Sequence, residues 1–417
     1  MAKNTIKSRI FDTRQTIKHY LSLYLQNHWY PGTPQYSWRD TTSNVICKSS
    51  KSKFVNHCIR ITTRLSLLLC LPIFMLISKL YQWIASKIIA HERQPPSNLS
   101  RKLNGCKLIT VGNVVVGGVG KTPTVLAIIQ RLKAEGFRVA VASKGYAGDK
   151  LKTNHSPEII QNNMTQFETA KYFGDEPTLI SRLSSTPVCV SKDRRLAIEL
   201  LISEIPELDY IIADDGLQSL HQFSEKKVVV FDERFLGNGF CLPYGPLREP
   251  WPPPYVVDAM ILNFSAGSEV RQTTIKKLIG NNVNFGQIFE SKLQTRYWEN
   301  LEGKRIRCDE IHATSQINTE TSKKKVLACA GIGVPSKFFV TLRSLGLEFD
   351  ALPLSNHEIN INDIIEKVAT SSYDLILTTE KDGVKLNKNN KEIVKKLWKL
   401  NTEMYLPDDF YRTLIEE

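Results

Sequence analysis

The chain has 417 residues, of which 42% are hydrophobic and 23% are charged, so it has a globular composition and is too long for one ordinary core. Its eight cysteines are scattered without a C-x-x-C pair, which gives no support for a zinc knuckle or a disulfide framework. The net charge is +13, but residues 1–64 alone carry eleven Lys and Arg against two acids. A nucleic-acid enzyme is expected to carry its basic surface on the folded domain, so we expect no nucleic-acid partner. No obligate protein partner is evident.

Residues 1–53 form a basic leader that is poor in acids and rich in Ser and Thr. The stretch 6–25 can be drawn as a helix with five apolar residues roughly on one side, Ile6, Ile10, Ile17, Leu21 and Leu25. Such a start is typical of an organelle transit segment. We expect import into mitochondria, with peripheral attachment to the inner membrane. A plastid address and a disordered basic tail are the alternatives.

Residues 54–100 contain the most apolar stretch of the chain and then a linker. The apolar part, LSLLLCLPIFMLI at 65–77, would span roughly 20 Å as a helix, against about 30 Å of bilayer hydrocarbon. Flanking basic residues, with Tyr81 and Trp83 nearby, favour a helix that lies in the membrane interface. An ordinary core helix and a single transmembrane anchor are the alternatives. The segment QPPSNLS at 94–100 predicts the linker.

From residue 101 to 306, short apolar runs alternate with helical patterns, which predicts a parallel sheet covered on both faces. The polar stretch 307–325 predicts a hinge, and a second βα set over 326–417 predicts a smaller α/β domain. The predicted fold class is therefore α/β, with a P-loop NTPase-like domain, a smaller α/β domain and an N-terminal membrane-associated helix. The predicted strands are 108–111, 138–142, 187–190, 210–213, 228–231, 260–263, 326–329, 349–354 and 375–378.

The first predicted strand leads into GNVVVGGVGKT at 112–122, and a predicted helix follows at 122–135. A glycine-rich turn before a helix lets backbone N–H groups surround a phosphate anion. Lys121 can reach β- and γ-phosphate oxygens, and Thr122 can place its hydroxyl on Mg²⁺. The spacing departs from the standard loop, which has glycine where this chain has Val115. We predict a site for ATP and Mg²⁺ that is formed by Gly117, Gly118, Val119, Gly120, Lys121 and Thr122.

Asp214 and Asp215 follow an apolar run that predicts a buried strand. In parallel α/β sheets, ligands bind outside the carboxyl ends of the strands. Acids at that edge can hold Mg²⁺ or its water shell. We therefore predict that Asp214 and Asp215 are metal-side residues.

Other candidate residues are less specific when each is taken alone. Asp175, in GDEP, is either a general base or a helix cap. Arg248 and Glu249 lie in LPYGPLREP, whose prolines make a rigid loop that can present charges to a site. His357 follows a predicted strand of the smaller domain, where a lone histidine is more often structural or exposed.

Eight strings of this chain, taken in order, form one set: VGNVVVGGVGKTP, SKGYAG, GDEPTLI, SKDRR, DDGLQ, LPYGPLREP, AGIGVPSKFF and TTEKDGVKL. Together these motifs resemble the tetraacyldisaccharide 4′-kinase family over roughly residues 54–415. The resemblance implies transfer of the γ-phosphoryl group of ATP to the 4′-hydroxyl of a tetraacylated glucosamine disaccharide 1-phosphate, giving lipid IV-A. It also implies Mg²⁺ and a lipid substrate at a membrane surface.

The resemblance also assigns roles to residues. It gives the phosphate-loop roles to Lys121 and Thr122, and it makes Asp175 the catalytic base, paired with His357. The remaining implied site residues are Asp214 and Asp215 on the metal side, Gln218 near the nucleotide, Arg248 and Glu249 as a charged pair, and Tyr146 and Arg195 as site-lining residues.

Two other functions share part of this pattern. A membrane-surface P-loop ATPase that works as a switch would have the basic leader and the glycine loop. Its signature lysine is replaced by Val116, however, and LPYGPLREP has no task in it. A P-loop kinase of a soluble small molecule would have no need of the apolar segment at 65–77.

Overall fold

The structure is a computed structural model that describes residues 28–30, 70–88, 103, 105–146, 148–153, 155–161, 163–264, 285–311, 325–355, 361–369 and 373–416. Its centre is one sheet of thirteen strands, in the order β11-β10-β12-β13-β8-β7-β6-β1-β5-β2-β4-β3, with β9 paired to β8. The strands are β1 Lys107–Gly112, β2 Val139–Ser143, β3 Glu158–Ile159, β4 Val188–Val190, β5 Tyr210–Asp214, β6 Lys226–Asp232, β7 Val257–Phe264, β8 Phe285–Asn300, β9 Arg305–Arg307, β10 Val326–Ala330, β11 Asp350–Pro353, β12 Leu375–Thr379 and β13 Leu397–Tyr405.

Helix α1 spans residues 70–88 and precedes the first strand of the sheet. The other helices of the described residues cover both faces of the sheet. The helices that follow are α2 Lys121–Ala134, α3 Lys150–Thr153, α4 Gln166–Phe173, α5 Asp175–Ser184, α6 Arg194–Glu204, α7 Leu217–Leu220, α8 Pro335–Ser344, α9 Ile361–Ala369, α10 Glu380–Gly383, α11 Lys391–Lys396 and α12 Asp408–Ile415.

Residues 105–264, here called the first unit, hold the parallel strands β1, β2, β4, β5, β6 and β7. Strands β1, β2 and β5 are buried almost throughout, because helices pack on both faces, and their apolar residues therefore run continuously. Helix α2 covers one face with Val125, Ile128, Ile129 and Leu132. The strands that the sequence predicts here are confirmed to within three residues at each end.

Residues 325–416, here called the second unit, hold β10, β11, β12 and β13, which pair in parallel. Strand β8 joins the two units, and the sequence pattern does not predict it. Its first half pairs in parallel with β7, and its second half pairs antiparallel with β13. The two predicted α/β units therefore share one continuous sheet. Of the predicted hinge at 307–325, residues 312–324 lie outside the described part.

Helix α1 contains the second half of the predicted interfacial segment, and residues 65–69 lie outside the described part. One side of the helix exposes large apolar side chains, and the other contacts the first unit through Ser78 and Tyr81. In the part of the chain that the structure describes, no helix combines the length and apolarity needed to cross a bilayer. The large apolar residues on the exposed side of α1 are Ile73, Leu76, Ile77, Leu80, Trp83, Ile84 and Ile88.

Three residues of the predicted leader, 28–30, pack against the first unit. The Trp29 indole donates a hydrogen bond of 3.3 Å to the carbonyl of Pro243, and Asn238 donates one of 3.4 Å to the carbonyl of His28. Tyr30 is buried, and the guanidinium carbon of Arg234 lies 5.2 Å from the centroid of its ring. This part of the leader is therefore integrated into the fold.

Candidate active site

The glycine-rich loop between β1 and α2 has the backbone that its sequence predicts. Gly117 and Gly120 adopt φ values of 102° and 98°, the left-handed region that glycine enters without strain. Gly120 is the N-cap of α2, so the loop ends on a helix N-terminus. Asn263, at the end of β7, donates a 2.9 Å hydrogen bond to the carbonyl of Val119 and fixes the loop from the side. The result is a cradle of backbone N–H groups suited to a phosphate.

The ammonium group of Lys121 is held in place by two polar residues, Asn113 after β1 and Asp215 after β5. Its Nζ donates a 2.8 Å hydrogen bond to Oδ1 of Asn113 and lies 3.3 Å from Oδ1 of Asp215. The ammonium group is mostly shielded from solvent, with 11% of the side chain exposed. A phosphate oxygen that enters the cradle would meet a cation whose position is already set.

Asp214 is buried at the end of β5, and its Oδ1 has no hydrogen-bond partner among the described residues. Burial, together with the nearby charges of Glu176 and Asp215, raises the pKa of Asp214 to about 7, although Lys121 and Arg194 act in the opposite direction. Arg194 reaches past it and donates a 2.9 Å hydrogen bond to its backbone carbonyl. A buried carboxylate oxygen that has no hydrogen-bond partner destabilises the folded protein unless a cation binds to it.

Asp215 is held differently from its neighbour. Nη1 of Arg248 donates to both of its carboxylate oxygens, at 2.9 and 3.0 Å. Although burial raises its pKa, the positive charges of Lys121, Arg248 and Arg194 outweigh that effect and hold the pKa of Asp215 below its ordinary value. Asp215 is therefore an ionised link between Lys121 and Arg248.

The predicted Mg²⁺ site can be tested against these oxygen donors. Mg²⁺ typically takes one or two protein carboxylates and fills its other positions with phosphate oxygens and water. Asp214 Oδ1 and the buried hydroxyl-bearing residue Thr122 fit that demand. No group of three or more His, Cys, Asp or Glu residues within the described ranges is arranged as a metal cluster. The residues therefore fit an ion that nucleotide phosphates help to hold.

A cavity of about 930 Å³ opens in front of the glycine loop, between the two units. Its size suits a nucleotide-sized ligand. Residues 117–122 form one wall, and β10–α8 residues of the second unit form the facing wall. The two walls approach closely, because a side chain at Gly333 would collide with the backbone nitrogen of Gly118. Other lining residues are Ser143, Tyr146, Glu176, Arg194, Asp214, Asp215, Arg248, Asn263, Lys337, Phe338 and Lys381.

The GDEP acids occupy the N-terminus of α5. Glu176 lines the cavity, whereas Asp175 is buried immediately behind it, with 4% of the residue exposed. Asp175 Oδ1 accepts a 2.9 Å hydrogen bond from the backbone N–H of Glu176. Burial raises the pKa of Glu176, but the charges of Lys381 and Lys121 prevail and bring it below its ordinary value. Both acids thus lie at one helix N-terminus beside the cavity, which favours negative charge.

Comparison with known proteins identifies the family that shares this arrangement. The family model for LpxK, tetraacyldisaccharide-1-P 4′-kinase, matches residues 71–417. The chain belongs to the tetraacyldisaccharide 4′-kinase family. The "Tetraacyldisaccharide 4'-kinase" of Herminiimonas arsenicoxydans is 33% identical over 312 residues, which cover 74% of this chain and 82% of that protein. The protein of the same name from Legionella pneumophila strain Corby is 32% identical over 337 residues, 79% of this chain and 90% of its own length.

A solved structure supports the fold. The crystal structure of "apo" form LpxK from Aquifex aeolicus in complex with ATP matches with a TM-score of 0.56 and 21% sequence identity. The match covers 80% of this chain and 95% of that chain. The fold is therefore that of the tetraacyldisaccharide 4′-kinases, as the sequence motifs predict. The family match begins within α1 and extends through both units, and the whole leader, residues 1–53, lies outside it.

The structure separates the predicted site residues of this family member into two groups. Lys121, Thr122, Asp214, Asp215 and Arg248 line one cavity together with the four residues before Lys121. The second group lies behind the cavity wall or outside the described part: Glu249 and Gln218 behind the loop that carries Arg248, Asp175 behind Glu176, and His357 in the stretch 356–360, which is not described.

Glu249, which is buried, and Gln218, which is half-buried, are hydrogen-bonded to each other next to the glycine loop. Oε1 of Glu249 accepts hydrogen bonds from Gln218 at 2.8 Å and from the Tyr255 hydroxyl at 2.9 Å. Gln218 also donates to the carbonyl of Asn113 at 3.2 Å, directly before the glycine loop. Burial raises the pKa of Glu249. In this geometry the two residues support the cradle and do not face the cavity.

Arg195 is predicted to line the site, but the structure places its neighbour Arg194 at the cavity instead. In SKDRR, the side chain of Arg194 is buried and lines the cavity, whereas Arg195 is exposed and pairs with Asp193 at 2.8 Å. Asp193 is the N-cap of α6, so Arg195 is part of the helix start, and Arg194 faces inward toward β5. Tyr146 does line the cavity and remains largely exposed.

Sequence reasoning also missed two basic residues that flank the glycine loop. Arg234 donates a 3.1 Å hydrogen bond to the carbonyl of Gly118 and is paired with the buried Asp232. Lys337, on α8 of the second unit, lies 3.0 Å from both Asp232 and Glu233. Lys337 is the lysine of the string AGIGVPSKFF, one of the motifs that carry the family resemblance, so that string was the available signal for it.

Proposed function

We propose that the chain transfers the γ-phosphoryl group of ATP to the 4′-hydroxyl of a tetraacylated glucosamine disaccharide 1-phosphate and so produces lipid IV-A. Membership of the tetraacyldisaccharide 4′-kinase family over residues 71–417 supports this activity. The single observation that carries it is the joint placement of Lys121, Asp214, Asp215 and Arg248 around one cavity in front of the glycine loop.

The phosphate side of the reaction uses groups that are positioned before the nucleotide binds. Phosphoryl transfer depends mainly on alignment and on neutralising charge on the phosphate oxygens. The N–H groups of the cradle and the ammonium of Lys121 would hold the β- and γ-phosphates of ATP. Arg194 and Arg248 supply further positive charge on the cavity wall. Their fixed hydrogen bonds to Asp214 and Asp215 limit reorganisation during the reaction.

We propose that Mg²⁺ is held by Thr122, Asp214 and Asp215 together with the nucleotide phosphates. When bound, the ion supplies charge neutralisation at the phosphate oxygens. Asp214 offers a free buried oxygen for it, and Asp215 stays ionised through Arg248 and Lys121.

On the acceptor side, we propose that Asp175 accepts the hydrogen bond and then the proton of the sugar hydroxyl. A sugar hydroxyl is a weak nucleophile, so its alignment with the γ-phosphate matters more than its full deprotonation. His357 is proposed to share that proton with Asp175. Glu176, which lines the cavity beside Asp175, adds a second carboxylate at the same helix end.

The acyl chains of the proposed substrate lie in a membrane, so the enzyme is expected to bind a membrane surface. The exposed side of α1 supports this expectation. Its exposed apolar residues form a stripe along one side of the helix, and no helix in the described ranges is both long and apolar enough to cross a bilayer. On the inner side, Ser78 donates a 2.7 Å hydrogen bond to the carbonyl of Cys241 and Tyr81 donates one of 2.6 Å to that of Arg248. The apolar stripe is thus fixed to the loop that carries Arg248. We propose that α1 seats the active site on the bilayer that holds the lipid.

For the cellular address, we propose import into mitochondria and peripheral attachment to the inner membrane. The basic, acid-poor composition of residues 1–53 supports this proposal. Residues 28–30 pack against residues 237–244, so a cleavage site is expected before His28. Amino-terminal sequencing of the protein recovered from isolated mitochondria tests both points. A mature start beyond Tyr30, or recovery from plastids, would contradict them.

Transfer of label from [γ-³²P]ATP tests the proposed reaction. With tetraacyldisaccharide 1-phosphate in mixed micelles, the wild-type chain is expected to produce a labelled lipid that depends on Mg²⁺. Label released only as inorganic phosphate would favour the ATPase switch. Label transferred only to a water-soluble acceptor would favour a small-molecule kinase.

A further inference from the structure

Two lysines of the second unit meet the two acids at the start of α5. Lys381 Nζ lies 2.7 Å from Oε1 of Glu176, and Lys385 Nζ lies 3.7 Å from Oδ2 of Asp175. The second pair is well shielded, because 11% of the Lys385 side chain and 4% of the Asp175 side chain are exposed. Charges that are buried in this way interact more strongly than charges at a surface.

Lys385 is itself fixed by an acid of its own unit. Its Nζ lies 2.8 Å from Oδ1 of Asp382, whose side chain has no exposed surface. The other oxygen of Asp382 accepts hydrogen bonds from the backbone N–H of Gly331 at 2.8 Å and from the hydroxyl of Thr379 at 2.7 Å. Thr379 also caps α10. The ammonium group of Lys385 is therefore held between Asp382 in one unit and Asp175 in the other.

This arrangement addresses a physical problem at Asp175. A buried carboxylate tends to take up a proton, and a protonated acid cannot accept the proton of a sugar hydroxyl. A nearby ammonium favours the charged form of the acid. At 3.7 Å the contact is an ion pair and is too long for a hydrogen bond, so Lys385 can act on Asp175 through its charge.

We propose that Lys385 is a positioning residue for phosphoryl transfer, which keeps the Asp175 carboxylate charged and oriented, and that Asp382 fixes Lys385 in that place. The contact joins the two units, so the second unit contributes to the support of Asp175. The ion pair between Lys381 and Glu176 strengthens the same junction. The inference rests on the proposed function through the role of Asp175.

The decisive experiment compares Lys385→Met, Lys385→Arg and the control Lys388→Met in the full chain. Lys388 is exposed and lies three residues further on. Lys385→Met is expected to lower kcat about 100-fold, with KM for ATP and for the lipid within about threefold of wild type. Lys385→Arg keeps the charge and is expected to recover at least a tenth of the wild-type kcat. Lys388→Met is expected to match wild type. A kcat within twofold of wild type for Lys385→Met overturns the inference.

A double-mutant cycle separates positioning from a structural role. If Lys385 acts through Asp175, the double variant Asp175→Asn, Lys385→Met is expected to have the same kcat as Asp175→Asn alone. Losses that multiply overturn the inference. If Lys385→Met fails to fold, Asp382→Asn takes its place, because it keeps Lys385 and removes the charge of its anchor. An unchanged kcat in Asp382→Asn then overturns the inference. A wild-type chain with no transfer activity would instead overturn the proposed function.

Discussion

The hydroxyl group of Tyr81 donates a 2.6 Å hydrogen bond to the backbone carbonyl of Arg248. The side chain of Arg248 binds Asp215 at 2.9 Å, and Asp215 lies 3.3 Å from Lys121. The apolar helix α1 and Lys121, for which we propose phosphate binding, are therefore connected through two residues, Arg248 and Asp215. The apolar stripe of α1 and the cavity consequently hold a fixed relation to each other.

Tyr81→Phe removes this hydrogen bond and leaves the ring in place. The loss of one such bond changes a free energy by about 1 kcal/mol, so we expect kcat on lipid presented in vesicles to fall about 3–10-fold. ATP affinity is expected to stay within twofold, because the glycine loop is untouched. Tyr405→Phe, at an exposed tyrosine, serves as the control. Equal kcat for Tyr81→Phe and wild type would show that the tether has no role in turnover.

We expect a triple serine variant of α1 to lose membrane binding. It replaces three exposed residues, Leu76, Leu80 and Trp83. Each large apolar side chain that enters a bilayer contributes about 1–2 kcal/mol, so partitioning to anionic vesicles is expected to fall by about 10²–10⁴. Sedimentation with vesicles measures the change. The matched control replaces three exposed apolar residues elsewhere, Met164, Leu196 and Val256. Equal sedimentation of the two triple variants would contradict the assignment of α1 to the membrane surface.

Tyr30→Ser tests whether residues 28–30 belong to the folded protein. The ring of Tyr30 is buried and lies against the guanidinium of Arg234, so its loss is expected to lower the free energy of unfolding by about 1–3 kcal/mol. Urea denaturation measures this difference. Tyr405→Ser, at a tyrosine that is 58% exposed, is expected to remain within about 0.5 kcal/mol of wild type. Identical unfolding of the two variants would place residues 28–30 outside the folded unit.

Glu380 makes stability depend on pH. Burial raises the pKa of Glu380 from 4.5 to about 7, with partial opposition from Arg182 and Lys399. Between these two values the folded state binds more protons than the unfolded state, so stability falls as pH rises through that window. Glu380→Gln removes this dependence and is expected to be about 1–3 kcal/mol more stable than wild type above pH 7, relative to their difference at pH 4.5. Urea denaturation at pH 4.5, 5.5, 6.5, 7.5 and 8 measures the effect.

The control for this pH series is Glu302→Gln, at an exposed turn residue. Its stability is expected to change with pH in parallel with wild type. If the free energy of unfolding of Glu380→Gln also changes with pH in parallel with wild type, then the pKa of Glu380 is not raised in the folded state.

The sequence predicts the parts of this fold that depend on local pattern. Apolar runs such as the one before Gly112 predict buried strands, because both faces of a parallel sheet are covered. Strand β8 is not predicted, because it has no continuous apolar run: its middle residues are mostly exposed or half-buried, and it carries many polar side chains. A strand of this kind is recognisable only from its partners, β7 and β13.

The candidate site is predictable where the motif alone fixes the geometry, as at Lys121 and Thr122. Which member of an adjacent pair faces the cavity depends on helix starts and on packing across the units. Arg194 faces inward because Asp193 caps α6 and holds Arg195 outward. Likewise Glu176 lines the cavity and Asp175 is buried against Lys385, which lies about 210 residues away in the sequence. A local sequence pattern cannot predict a contact between residues so far apart in the chain.

The most direct test of the account is to locate the phosphate in the product. The purified chain is incubated with ATP, Mg²⁺ and tetraacyldisaccharide 1-phosphate, and the lipid product is analysed by mass spectrometry and by phosphorus–proton correlation NMR, with Lys121→Ala as the paired variant. We predict one added phosphate on the 4′-oxygen, and a rate at least 100-fold lower for Lys121→Ala. A phosphate at any other oxygen, no lipid product, or full activity in Lys121→Ala would contradict the account.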